Sequence, residues 1–309
     1  MMDPEVVAGI LADGRFTIGE RGPEPTLELL AEMRAMPPRE PYDPTPPAGV
    51  VREERLVGDV PVRVYRRTER ADDPVAGIVW FHGGGLVLGS HDMDQPFLDQ
   101  LVADTGCVAV SVEYRLAPET PFPGPVDDCW TALSWLRDSA GELGVDPARL
   151  AVGGASAGAC LAAACALRAR DEGLALCHQH LIYPMLDDRQ VTPSSQWDLL
   201  AIWPRELNAF AWRCYLGERY GSDDVPAYAA PARARDLSGL APAYIHVGGL
   251  DGFVHEDVEY AARLLDAHVP TELHVLPLVP HGFDMVAPEA TVTSRANALS
   301  DAALARVLS

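Results

Sequence analysis

The sequence contains no lysine, and all 24 of its basic residues are arginine. With no primary amine on any side chain, Schiff-base chemistry, a Ser–Lys dyad and a Walker-type phosphate loop are excluded, because each needs a lysine nitrogen. Positive charge as a whole is scarce: 24 basic residues stand against 45 acidic ones, leaving a net charge of −21. Such a chain is repelled by polyanions, so neither a nucleic-acid partner nor an anionic membrane surface is expected. The acidic excess reads as a solvating surface. No apolar run approaches the ~18 uninterrupted residues of a membrane span. The first residues show no basic stretch leading into an apolar one, so no secretory signal is expected and the reading is cytoplasmic. Cysteine occurs, but none of Cys107, Cys129, Cys160, Cys165, Cys177 and Cys214 forms a C-x-x-C pair. Most sit in apolar runs, as buried free thiols in a reducing compartment do.

What is present suits a globular chain. Of 309 residues, 48% are hydrophobic and 22% charged, enough to bury a sizeable core. The length allows one large α/β domain with a small extra lobe, or two domains. Two short helices are expected at 5–11 and 26–36, followed by six prolines between Pro37 and Pro47. That proline stretch can be neither helix nor central strand and reads as an extended connector. Beyond it, 51–57 and 60–65 read as a hairpin turning at Gly58-Asp59. Short apolar runs at 77–81, 107–112, 150–153, 180–183, 243–247 and 272–276 read as strands. They alternate with helical patterns at 127–141, 157–169, 256–267 and near the C-terminus, which predicts a parallel sheet covered on both faces. Between 187 and about 225 the alternation breaks, and Trp197, Trp203, Phe210, Trp212 and Tyr215 gather there. An aromatic insertion after a strand can serve as a lid or simply pack onto the body; a lid must do both.

Three separated motifs carry chemistry. Gly154-Ala155-Ser156-Ala157-Gly158 is a G-x-S-x-G elbow between an expected strand and an expected helix. A serine hydroxyl needs a base and a forced outward geometry to act as a nucleophile, and the two glycines permit the strained turn. His82-Gly83-Gly84-Gly85 follows an apolar strand. Its glycines let backbone N–H groups turn toward a substrate oxygen, so Gly83, Gly84 and the N–H of Ala157 are the expected oxyanion donors. His82 and Gly85 would support that loop. The third motif is His281-Gly282-Phe283, in the loop after the last expected strand. Among nine histidines only His281 occupies the place where an α/β-hydrolase delivers its base.

Asp251, at the end of the preceding strand, is the candidate acid that would hold the imidazole in one tautomer. Glu256 and Asp257 compete for that role but lie on the following helix, where helix caps or surface charges are expected. The order serine, aspartate, histidine fits the fold. His178 and His180 are spaced to share a strand face, yet two ligands without a third do not make a zinc site, so no metal is expected.

Together these motifs resemble the hormone-sensitive-lipase-like family of α/β-hydrolases, the bacterial family IV esterases. The resemblance runs from about residue 75 to the C-terminus and includes Tyr114-Arg115-Leu116-Ala117-Pro118-Glu119 and Tyr183-Pro184. It implies a mostly parallel sheet of about eight strands, flanked by helices, in a catalytic domain at 48–309. It also implies a helical cap built from 1–47 and an insertion at about 188–228. Hydrolysis of short to medium acyl esters follows, through Ser156, His281 and Asp251 and without a cofactor. Trp203, Phe210 and Phe283 are expected to line the substrate pocket. A small-molecule ester is then the partner, and the resemblance implies a homodimer through the last strand, near 272–276. An amidase, carbamate hydrolase or deacetylase could use the same triad, and a non-catalytic binding protein could use the same fold. Two positions depart from the family pattern: Ala155 stands where aspartate or threonine is usual before the serine, and His255 where a second aspartate often follows the acid.

Overall fold

Eight runs rich in β-branched and aromatic residues pair into one sheet in the computed structural model, which describes residues 1–16, 18, 23–37, 45–69, 71–198 and 201–309. In chain order the elements are α1 (Pro4–Asp13), α2 (Leu27–Ala35), β1 (Val50–Val57), β2 (Val60–Arg67), β3 (Val75–Phe81), α3 (Gln95–Thr105) and β4 (Val108–Val112). They continue with α4 (Gly124–Asp138), α5 (Ala140–Leu143), β5 (Val145–Ala155), α6 (Ala157–Glu172), β6 (His178–Ile182) and α7 (Arg205–Leu216). The chain closes with β7 (Ala243–Gly248), α8 (Val254–Asp266), β8 (Thr271–Leu276), α9 (Phe283–Val286) and α10 (Thr291–Leu308). The proline stretch expected as a connector falls largely outside the described residues.

The strand order is β1-β2-β4-β3-β5-β6-β7-β8. β1 and β2 form the expected antiparallel hairpin, β2 meets β4 antiparallel, and every other pairing is parallel. β3 and β4 are buried almost throughout, as strands covered by helices on both faces must be. β5 begins five residues earlier than the sequence suggested. Its pairing with β3 shifts between Val75 and Gly77, so Asp146 to Arg149 bulge out before the ladder resumes at Leu150.

The central helix α6 is rich in alanine, with glycine and cysteine among its small residues, and is buried along most of its length. Small side chains let its backbone lie close to the sheet. It ends at Gly173, whose φ of +73° is a left-handed cap that glycine adopts without strain. Helix α1 is started by Asp3, whose carboxylate accepts from the N–H groups of Glu5 and Val6 at 2.9 and 3.3 Å. Its buried residues Val6 and Ile10 pack into a cluster with Ile202, Phe283 and Val286. The six cysteines are free thiols; Cys177 and Cys214 are half-buried and the other four buried.

Candidate active site

In register, Phe81 at the end of β3 lies beside Gly154 near the end of β5. The two loops leaving these strands therefore start side by side. One is His82–Gly85, the other the turn into α6.

Ser156 sits at that turn with φ +57° and ψ −117°, a strained conformation for a residue with a side chain. The strain is held by hydrogen bonds: the Ser156 N–H donates to the Ile182 carbonyl at 2.8 Å, and the Ser156 carbonyl accepts from Cys160 at 3.1 Å. The elbow glycines are required by contact. A methyl group on Gly154 would lie 2.5 Å from both the Phe81 oxygen and the Gly158 carbonyl carbon.

The Ser156 hydroxyl donates to Nε2 of His281 at 2.9 Å, and Nδ1 of His281 donates to Oδ2 of Asp251 at 2.7 Å. The other carboxylate oxygen of Asp251 accepts from the Phe253 N–H at 2.9 Å, so the carboxylate cannot rotate freely. All three residues are buried: Ser156 is 6% exposed, His281 7% and Asp251 1%. The imidazole is also gripped edge-to-face by Tyr183 and Phe253, with ring centroids 4.7 and 5.0 Å away. Tyr183, at φ +35°, donates its hydroxyl to Asp284 at 3.0 Å. The sequence singled out neither ring for this task.

The glycine loop lies against Ser156. A methyl group on Gly83 would come 3.2 Å from the Ala155 oxygen and 3.6 Å from Cβ of Ser156. Gly84, at φ +113°, could carry no side chain, since its methyl would sit 2.2 Å from the Leu88 oxygen. None of the N–H groups of Gly83, Gly84 and Ala157 donates to a backbone carbonyl among the described residues. His82 is wholly buried, its Nδ1 donating to the Gly83 carbonyl at 2.7 Å and its ring stacked on Tyr114 at 4.1 Å. Burial lowers its pKa to about 4, so the imidazole is neutral and structural. Tyr114 also donates to the His82 carbonyl at 2.7 Å. The Tyr114–Glu119 run thus serves the loop: its tyrosine braces His82, and Arg115 clasps the buried Asp128.

The pocket candidates separate. Trp203 reaches Gly85, where an added methyl would collide with its ring at 2.2 Å. Phe210, on α7, is 9% exposed and shares the apolar cluster of Trp203 and Leu86. Phe283 is wholly buried, in the other cluster, beneath α1. The segment around Ile202 and Trp203 bridges the site, because Ile202 also approaches Gly282, next to His281.

One expectation needs correction. Glu256 and Asp257 are neither helix caps nor surface charges; they are 3% and 0% exposed. Glu256 accepts from the N–H groups of Leu186 and Asp187 at 2.8 and 3.1 Å and so anchors the start of the insertion. Burial raises both carboxyls well above their usual range. The insertion is pinned elsewhere too. The buried Asp188 and the half-buried Arg233 form a bidentate pair at 2.6 and 2.8 Å across its two ends. The Ser194 hydroxyl donates to the Gly252 carbonyl at 2.8 Å, beside Asp251. His255 turns its ring to the edge of Trp197, at 5.7 Å. His178 and His180 share a face as expected, with His180 bonded to Ser300 at 2.8 Å. No group of metal-ligating side chains is found among the described residues, and no helix of the described residues is long and apolar enough to cross a membrane.

Comparison with known proteins places the chain in a family. Residues 78–285 match the Abhydrolase_3 family, described by its alpha/beta hydrolase fold. The chain is 39% identical over 268 residues to the carboxylesterase NlhH of Mycobacterium tuberculosis strain H37Rv, covering 83% of this chain and 82% of that protein. It is 35% identical over 252 residues to the esterase LipI of the same organism, covering 80% and 78%. Among solved structures, a bacterial heroin esterase superposes with a TM-score of 0.86 at 38% identity, covering 100% of this chain and 98% of that one.

Proposed function

We propose that this chain, which belongs to the hormone-sensitive-lipase-like Abhydrolase_3 family of α/β-hydrolases, is a carboxylesterase that works through an acyl-enzyme on Ser156. The observation that carries this is the hydrogen-bonded line Ser156–His281–Asp251, at 2.9 and 2.7 Å, ending on a serine held at positive φ.

The chemistry follows from that line. His281 takes the hydroxyl proton as Ser156 attacks the ester carbon. The carbonyl oxygen becomes an anion held by the N–H groups of Gly83, Gly84 and Ala157. Asp251 keeps the proton on Nδ1, so that Nε2 is free to accept, and stabilises the imidazolium that forms. His281 returns its proton to the leaving alcohol. Water then attacks the acyl-enzyme by the same route and releases the acid. Only a neutral imidazole can begin either half.

Short to medium acyl esters fit best. Ile202 and Trp203 press on the two loops that carry the base and the oxyanion donors, which limits the length of an acyl chain between them. We read α1, α2 and the 188–228 insertion as a cap around the ester. Strand β8 is an edge, and its Val275 is 46% exposed. This supports pairing of two copies through that strand, which light scattering at several concentrations would check.

The test is Ser156→Ala assayed with p-nitrophenyl esters of increasing acyl length, beside labelling of the wild type by a fluorophosphonate. Turnover should vanish in the variant, and the label should map to Ser156. Turnover that persists in Ser156→Ala would overturn the reading.

A further inference from the structure

Arg34, on helix α2, ties the N-terminal part of the chain to the oxyanion loop. Its Nε donates to the Val87 carbonyl at 2.8 Å, and Nη2 donates to the Ala117 carbonyl at 2.7 Å. The same guanidinium makes a two-pronged bridge to Glu119 at 2.8 and 3.0 Å. Both carbonyls belong to the framework of the glycine loop. Val87 and Leu88 donate their N–H groups back to the Gly84 carbonyl at 3.1 and 2.8 Å, closing the turn that follows the donors. Ala117 donates its N–H to the Leu86 carbonyl at 2.9 Å, joining the turn to the Tyr114–Glu119 run.

Three consecutive glycines have more backbone freedom than any other triplet, so their orientation must be imposed from outside. The near end is held at His82 by Tyr114, through a hydrogen bond and ring stacking. The far end is held by Arg34, which lies 53 residues upstream of Val87. Two neutral carbonyls on one planar cation make charge-assisted bonds, stronger than bonds between neutral groups. The fork geometry fixes the distance between the two carbonyls, which a point charge would not.

We propose that Arg34 is a positioning residue for ester hydrolysis: from α2 it locks the turn that aims the Gly83 and Gly84 N–H groups, so the oxyanion cradle is complete only while α2 is docked. The proposal rests on the acyl-enzyme reading above. An oxyanion hole works by donors already set at their final geometry. Releasing the turn therefore weakens transition-state binding while the bound ester in its ground state loses little.

The test compares wild type, Arg34→Ala, Arg34→Lys and Ser156→Ala on p-nitrophenyl acetate, with thermal midpoints recorded for each. A trifluoromethyl ketone serves as an oxyanion probe. Ser156 adds to its carbonyl carbon, the serine proton passes to His281, and the carbonyl oxygen becomes the anion in the cradle. Arg34→Ala should lose about tenfold or more in kcat with KM nearly unchanged, short of the ~100-fold or greater loss from deleting a donor outright. Affinity for the ketone should fall by the same factor as kcat/KM. Arg34→Lys should recover part of both. Unchanged kcat in Arg34→Ala, or a loss in KM alone with ketone affinity intact, would overturn the proposal. If Arg34→Ala does not fold, Arg34→Lys decides: wild-type kcat and ketone affinity would sink the proposal. Turnover by Ser156→Ala would instead sink the acyl-enzyme reading, whatever Arg34 does.

Discussion

A methyl group on Gly158 would lie 1.9 Å from the carbonyl oxygen of Phe81. The first turn of α6 is thus pressed directly onto the end of β3, one residue before His82. Backbone touches backbone at this point, and the contact sets the turn that carries Ser156 and the glycine loop after His82 at a fixed separation. Gly158→Ala must push them apart. We expect a cost of about 3 kcal/mol, the upper part of the usual range for overpacking, because neither neighbour is a side chain that can swing away. A thermal melt will show a lowered midpoint, and turnover of p-nitrophenyl acetate in the folded fraction will fall as well. A variant with wild-type midpoint and rate would mean that the contact is not tight.

Asp251→Asn probes the tautomer. The carboxylate accepts from Nδ1 of His281 at 2.7 Å. An amide there can turn its NH2 toward Nδ1, which would move the ring proton to Nε2, the atom that must accept from Ser156. A drop in kcat of about 10⁴ is the scale seen when a triad carboxylate is neutralised in place. Steady-state kinetics on a purified, folded variant will check it. A loss smaller than tenfold would exclude Asp251 as the orienting acid.

The site was legible in the sequence wherever the backbone itself had to do something unusual. Ser156 at φ +57° needs small neighbours, and a loop that turns its N–H groups outward needs glycine, so both motifs announced themselves. His281 and Asp251 were readable from their positions after strands. Contacts made by ordinary residues were not readable. Glu256 and Asp257 look like solvent charges on a helix face, yet both are buried, and Glu256 accepts from the N–H groups of Leu186 and Asp187 far away in the chain. Arg34 meets partners 53 and 83 residues away, a pairing no local pattern encodes. Helix α3 was missed although its signals exist: Pro96 near the start, Leu98, Leu101 and Val102 at helical spacing, and Gly106 as a left-handed stop.

Gly85 and Trp203 should prove coupled. Gly85 has φ +63°, and an added methyl would strike the Trp203 ring at 2.2 Å. Gly85→Ala therefore carries two penalties, the left-handed backbone cost of roughly 1–2 kcal/mol and the clash. Trp203→Ala removes the second penalty only. In a double-mutant cycle on thermal stability, the pair should be less destabilising than the sum of the singles, by about 1 kcal/mol or more. The same Trp203→Ala variant should shift the acyl-length profile toward longer esters. Strict additivity, with an unchanged length profile, would separate Trp203 from the pocket.

Asp257 should make stability depend on pH in one direction. It is wholly buried on α8, and neither of its carboxylate oxygens has a hydrogen-bond partner among the described residues. Burial raises its pKa well above that of an ordinary aspartate, and the nearby charges of Glu256 and Asp251 add to the shift. With the folded pKa above the unfolded one, the carboxyl is neutral in both states at low pH and contributes no penalty there. As pH rises past the unfolded value, near 4, the unfolded chain ionises while the folded one resists, and stability is lost until the folded group ionises too. Within that window the loss is about 1.4 kcal/mol per pH unit. Asp257→Asn keeps the shape and removes the charge. Its thermal midpoint should match wild type near pH 4 and exceed it increasingly as pH rises above that value, until the folded carboxyl ionises too. Neutral buried histidines such as His178, lowered to about 4, act in the opposite direction but are common to both proteins, so they cancel in the difference. A midpoint difference that does not change with pH would show that the Asp257 carboxyl ionises as readily in the folded protein as in the unfolded chain.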